Sequence, residues 1–336
     1  MVWIGLMSMA LAGYGDPVDG LPSPAEREMH LWTNAVRVDP AAFIDDYPCS
    51  FDVFSNTEQT PQMPLLWNYD LNDAARFHSD DMFDNDHFSH TSSDGTPFDQ
   101  RLDRFYSGGT IGENIAWNYP GMWSTVIEGW MCSSGHRENI MRPEFDELGT
   151  GVTGPYGTQD FGSGARDLSA HPIRMGAHSP FQPLSETILF ADWFDAFGRS
   201  VVHMEAIVNG DPIPMGLTWG THVQGVYGVE IAVEAGPCYT YWFRAERSDG
   251  EVFVFPDDGA YGFGACEWDD ADAMWMSRDV LGVEEEEEGM DPYLDADDGY
   301  LRDWSRWPMR RSCGHAPTPH GWLLLGLVWM CTRRRK

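Results

Sequence analysis

Lysine is almost missing from this chain: of 336 residues only the last, Lys336, is one. Lys and Arg together number 21 against 53 Asp and Glu, a formal charge of -32. A field of that sign repels phosphate backbones and anionic lipid heads, which disfavours nucleic acid as a partner. What it fits is cations, or an acidic surface that keeps an exported protein soluble. Catalytic signatures are scarce too. There is no Gly-x-Ser-x-Gly elbow, no Walker loop, no dinucleotide fingerprint after a strand and no helical HExxH pair, which excludes the zinc-protease reading that rests on that motif. No apolar run reaches the ~20 residues that a spanning helix needs.

Aromatic and apolar residues, by contrast, are plentiful. With 42% hydrophobic residues, 15 Trp, 18 Phe and 12 Tyr, the chain can build sizeable cores. A prior of about 150 residues per domain suggests two folded units with tails. The apolar stretch 2–12 ends in Ala10-Leu11-Ala12 and reads as a signal-peptide-like segment. At the other end, residues 312–336 join Cys313, a polar spacer, an apolar run from Gly321 to Cys331 and a cationic stop at Arg333–Lys336. This tail resembles the C-terminal sorting signals of myxobacterial surface proteins, in which Cys313 would match the processed cysteine. The resemblance implies export and anchoring at the cell surface, with a plain short membrane anchor as the alternative. Six cysteines in an exported chain are disulfide candidates. Outside the tail, pairing within each unit joins Cys238 to Cys266 and Cys49 to Cys132; free buried cysteines are the alternative for the second pair.

Ser23, Pro24 and Glu26 combine an N-cap, a first-turn proline and a capping-box glutamate, so a helix runs from there toward Val38 and stops at Asp39-Pro40. A second helix, capped by Asp70, places Leu71, Ala74, Ala75, His78 and Met82 on one face. That periodicity turns His78 inward, as a hydrogen-bonded core residue or, less simply, part of a site. The helix ends in Asp80, Asp81, Asp84 and Asp86, the wrong charge for a helix C-terminus; a cation or the nearby His87 and His90 would offset it. Pro97 opens a short helix to Phe105, residues 122–131 form another, and GGTIGENIAW enters a helix near Glu113. LGTGV at 148–152 and TILFADWF at 187–194 read as strands of one antiparallel sheet, and 155–183 as a loop between them. Runs at 201–208, 223–233, 238–246 and 251–255, with a hairpin turn at Asp249-Gly250, suggest a small immunoglobulin-like β-sandwich over 200–268. Residues 269–311 form an acidic linker in which DPYLDADDGY only faintly echoes a calcium loop.

Three segments stand apart: FSHTSSDGTPFDQR at 88–101, GENIA at 112–116 and GWMCSSGHRENIM at 129–141. They put His90, Glu113 and His136 beside backbone-turning residues, where no helix or strand period calls for them. In this order and spacing they resemble the CAP superfamily (cysteine-rich secretory proteins, antigen 5 and pathogenesis-related-1 proteins; the SCP domain) in its short bacterial form. The resemblance extends over roughly 23–197 and implies an α+β fold: a three-layer α/β/α sandwich over 20–198, followed here by the β-sandwich. It also implies that His90, Glu113 and His136 line one central cleft.

Two imidazoles and a carboxylate are donors for zinc or another divalent cation. Many CAP proteins carry a second glutamate where this chain has Ser133, so the expected metal site is open and weak. Asn114, Arg137 and Asn139 read as supports of the cleft loops, and Ser133, Ser134 or Cys132 beside His136 as remote candidates for a nucleophile. The leading expectation is a surface-displayed, non-enzymatic module that binds a small apolar or lipid-like ligand, or a surface partner. A metal-dependent extracellular hydrolase and an adhesive protein with a vestigial cleft are the alternatives.

Overall fold

The computed structural model describes residues 13–164, 171–183, 185–234 and 236–278, all of them within one compact unit. The signal-like segment 1–12, the calcium-like DPYLDADDGY and the tail with Cys313 lie outside the described residues. The α-helices are α1 (Pro24–Val38), α2 (Asn56–Gln59), α3 (Tyr69–Asp84), α4 (Phe98–Leu102) and α5 (Ser134–Ile140), and the helix expected at 122–131 is a π-helix over Ser124–Trp130. The capping box expected at Ser23 is formed: the Glu26 carboxylate accepts the Ser23 N–H at 2.8 Å while the Ser23 hydroxyl accepts the Glu26 N–H at 3.4 Å. α3 is capped by Asn68, two residues earlier than expected, whose side chain accepts the Leu71 N–H at 3.0 Å.

Strands β1 (Leu66–Trp67), β2 (Ile111–Trp117), β3 (Glu147–Thr153) and β4 (Tyr156–Gly162) make the first sheet, in the order β1-β3-β4-β2. β1 runs parallel to β3, and the other pairs are antiparallel. α3 covers one face. It comes close because β3 carries glycines there: a Cβ on Gly149 would lie 2.0 Å from the Asn72 backbone, and one on Gly151 2.4 Å from that of Ala75. α1 covers the other face, where Thr150 donates to the Glu26 carbonyl and Gln159 to the Thr33 hydroxyl. Helix, sheet and helix are thus stacked as expected.

Two expectations change here. GENIA does not start a helix; it is the centre of β2, paired residue for residue with β4. And the antiparallel partner of LGTGV is not LFADWF but β4, from within the stretch read as a loop. The segment YGTQDFG hid its strand because two of its seven residues are glycine and its inward groups are polar, Thr158, Gln159 and Asp160 among them.

The remaining strands are β5 (Gly176–Ser179), β6 (Glu186–Phe194), β7 (Val201–Val208), β8 (Asp211–Pro214), β9 (Gly216–Gly220), β10 (Gln224–Ala232), β11 (Tyr239–Arg247), β12 (Val252–Phe255), β13 (Gly259–Phe263) and β14 (Trp275–Ser277). LFADWF lies in β6, which pairs with β5 and β10 in a sheet of order β5-β6-β10-β9. The strand pairing therefore runs across residue 200. The third sheet has the order β14-β13-β11-β7-β8, with β12 on β11. Its rings meet the second sheet directly: a Cβ on Gly176 would lie 2.3 Å from the Phe243 ring, and the His178 ring nitrogen is 2.9 Å from the Tyr241 hydroxyl. The hairpin at Asp249-Gly250 joins β11 to β12, with Gly250 at φ +88°.

Every residue of α1 is buried, polar ones included, because the second sheet closes over the side of α1 that faces away from the first. Trp32 donates to the Ser179 hydroxyl at 3.2 Å, and Asn34 to the Asp192 carboxylate at 2.6 Å. Burial holds the Glu28 carboxyl at about 7 and the Asp192 carboxyl at about 6, well above ordinary carboxylates, and pushes His30 down to about 4. Disulfides join Cys49 to Cys132 and Cys238 to Cys266.

Candidate functional site

His90 follows α3 on a loop that two contacts hold. The ring of His78, buried in α3, is 2.9 Å from the Ser89 carbonyl oxygen, and Asp81 accepts the Ser93 N–H at 2.8 Å. His78 is thus a core histidine that supports the loop, and burial lowers it to about 4. The acidic end of α3 is answered locally: Asp81 also lies 3.6 Å from His87, and Asp80 accepts the Thr153 hydroxyl.

Glu113 extends from β2. Its Oε1 lies 2.8 Å from His90 Nδ1, and its Oε2 accepts from the Arg101 guanidinium of α4. The exposures of the three side chains decide how this arrangement works: His90 is 51% exposed, Glu113 1% and Arg101 0%. A buried ion pair therefore orients an imidazole whose other edge faces solvent. Arg101 also donates to the His90 carbonyl and the Ser92 hydroxyl, both at 3.1 Å, so one side chain fixes both the loop and the carboxylate. Asp160, opposite Glu113 in the β2–β4 register, is fully buried. Burial, then the nearby Glu113 charge, raises its carboxyl well above the ordinary range.

His136 stands on α5. Its carbonyl accepts from Asn114 at 3.1 Å, and its ring meets Trp130 edge-on at 6.5 Å. Burial, then the charge of His90, lowers its pKa, so the two imidazoles feel each other. Asn139 donates to the Glu113 carbonyl and to Asn114, each within 3.1 Å, which ties α5 to β2. Arg137 is spent on support, donating to Glu58 at 2.8 Å and to the Met131 carbonyl at 2.9 Å. Ser133 precedes α5, and its N–H donates to the Trp130 carbonyl.

The fit to a metal is poor in this arrangement. Both Glu113 oxygens already serve His90 and Arg101, and among the described residues no group of three or more His, Cys, Asp or Glu side chains is placed to hold a metal ion. Arg101 and Asp160 are the functional neighbours that sequence reasoning missed. The available signal for Arg101 was a basic residue beside Leu102 in a short helix of a chain with so few cations.

Residues 33–162 match the family model of the cysteine-rich secretory protein family, CAP. The chain carries a CAP domain, matched from within α1 to the end of β4. Among curated proteins, it is 37% identical over 98 residues to the uncharacterized membrane protein YlbC of Bacillus subtilis strain 168, covering 29% of this chain and 28% of that one. It is 34% identical over 145 residues to the uncharacterized protein YkwD of the same organism, covering 42% and 54%. The chain thus spans 28% and 54% of the lengths of these relatives. A solved extracellular protein containing an SCP domain, from Bacillus anthracis strain Ames, is 29% identical with a TM-score of 0.32, over 41% of this chain and 40% of that one.

Proposed function

We propose that this is an exported CAP-domain protein, held at the cell surface, that binds a small ligand with an apolar or lipid-like body in the cleft of His90, Glu113 and His136. One observation carries the reading: a half-exposed His90 is oriented from beneath by the buried Glu113–Arg101 pair. Such a group offers a polar anchor of fixed direction. Apolar surface stands close by in sequence, with Phe88 exposed two residues from His90. Two disulfides fit an oxidising compartment. The signal-like start, the sorting-like tail and the name of the membrane-protein relative support a place at the surface. The test is titration of the purified full chain with fluorescent fatty-acid, sterol and aliphatic-ester probes, comparing wild type with His90→Ala and His136→Ala. Saturable binding that both substitutions weaken at least tenfold is expected; binding indifferent to both sinks the reading.

A second reading, an extracellular hydrolase, is favoured by the same His90–Glu113 contact, because a base oriented by a buried carboxylate is half of a general-base arrangement. Turnover of pooled ester, peptide and glycan substrates, lost on His90→Ala, separates it from a binding module. Adding and chelating zinc in the same assay tests the metal-dependent form.

A further inference from the structure

A cavity of about 370 Å³, with none of the cleft residues in its walls, lies beside the strap of residues 13–22 that leads into α1. Five rings line it, from three parts of the chain: Tyr14 on the strap, Trp67 and Tyr69 next to the first sheet, Phe255 and Tyr261 in the third. The volume lies in the range of small-molecule sites, roughly 300–1,000 Å³.

Two of the phenols are already committed. Tyr69 donates its hydroxyl to the Asp16 carbonyl at 2.8 Å, and Tyr261 donates to that of Gly15. They anchor the strap and leave ring surface for an occupant. Arg174 is the one charged residue in the wall, and it is balanced. Its guanidinium donates to the Pro64 carbonyl and lies 4.3 Å over the Phe194 ring, while the nearby Asp192 carboxylate accepts the backbone N–H groups of Arg174 and Met175. A cation inside would meet that guanidinium. An anion would also meet carboxylates: those of Asp16 and Asp258 stand beside Gly13 in the wall, their oxygens 2.5 and 2.8 Å from a Cβ placed there.

We propose that this cavity is a second binding site, for a flat, uncharged aromatic molecule held between the rings of Tyr14, Trp67, Tyr69, Phe255 and Tyr261. Ring faces supply the affinity through stacked and edge contacts. The charge pattern supplies the selection against ions. The site is independent of the His90 cleft.

Two probes share one skeleton and differ by one sulfonate: neutral N-phenyl-1-naphthylamine and anionic 1-anilinonaphthalene-8-sulfonate. Each is titrated by fluorescence into the full chain, and into Val18→Trp, Val18→Ala and His90→Ala. Val18 lines the cavity and is 41% exposed, so an indole there fills space without entering the core, and unchanged thermal melting verifies that each variant is folded. The expected result is one saturable site for the neutral probe, at least tenfold tighter than for the sulfonate, weakened at least tenfold by Val18→Trp and left alone by Val18→Ala and His90→Ala. The proposal is overturned by the absence of saturable binding, by binding that survives Val18→Trp, by loss in His90→Ala, or by equal or tighter binding of the sulfonate.

Discussion

Replacing Arg101 by Met removes the cation beneath His90 and leaves Glu113 buried beside Asp160 with no positive partner from α4. Breaking one side of a buried ion pair costs about 3–5 kcal/mol, because the remaining charge has neither water nor counter-ion. Arg101 and Glu113 are 0% and 1% exposed, so solvent screening gives little relief. At roughly 2–4 °C per kcal/mol for a domain of this size, the melting temperature falls by about 6–20 °C. The double variant Arg101→Met with Glu113→Gln removes both charges, and it recovers most of the loss even though His90 then keeps only a neutral partner. Urea unfolding at pH 7 of the wild type, both single variants and the double variant closes the cycle. A loss below about 1 kcal/mol for Arg101→Met, or a double variant as unstable as the sum of the two singles, would refute the view that this pair is the buried support of His90.

Three further outcomes follow from the packing. The Glu28 carboxyl is raised from 4.5 to about 7 by burial, so the folded state favours its neutral form; that contribution, about 3 kcal/mol, is complete below pH 4.5 and is lost as pH rises toward 7. Glu28→Gln should flatten stability over that window in urea titrations, and should leave the opposite loss on acidification, from pH 6.5 toward 4, that His30 contributes. Gly149→Ala drives a methyl group into the α3 backbone and should cost about 1–3 kcal/mol, whereas Gly95→Ala, with open space around it, loses only through its positive φ. Replacing both cysteines of each disulfide by serine should cost about 3.6 kcal/mol for Cys238–Cys266 and about 4.5 for Cys49–Cys132, as the loops of 28 and 83 residues imply; a reversed order would place the effect in the folded state rather than in loop entropy.

The helices α1 and α3 were legible because their signals are local: the Ser23 capping box and the one-sided run from Leu71 to Met82. The strands β7, β10 and β11 showed the same way, through alternation. β4 was hidden because its inward side chains bond to α1 and α3 instead of forming an apolar stripe. LFADWF announced a strand, but which sheet it joins depends on long-range pairing with β10, for which the segment itself carries no mark. His90, Glu113 and His136 stood out by spacing and by resemblance. That Glu113 serves Arg101 as well as His90 could not be read, because α4 and β2 meet only in the folded chain.

The central claim is that the solvent edge of His90 receives a ligand. The most direct test is a histidine-selective ¹H–¹⁵N spectrum of the full chain, recorded while a fatty acid, a sterol and an aliphatic ester are titrated in separately. The account predicts saturable shifts at His90 and His136 with at least one of them, while the buried His178, and His203 on β7 of the third sheet, stay in place. No saturable shift at His90 with any of the three, or shifts confined to histidines outside the cleft, would contradict it.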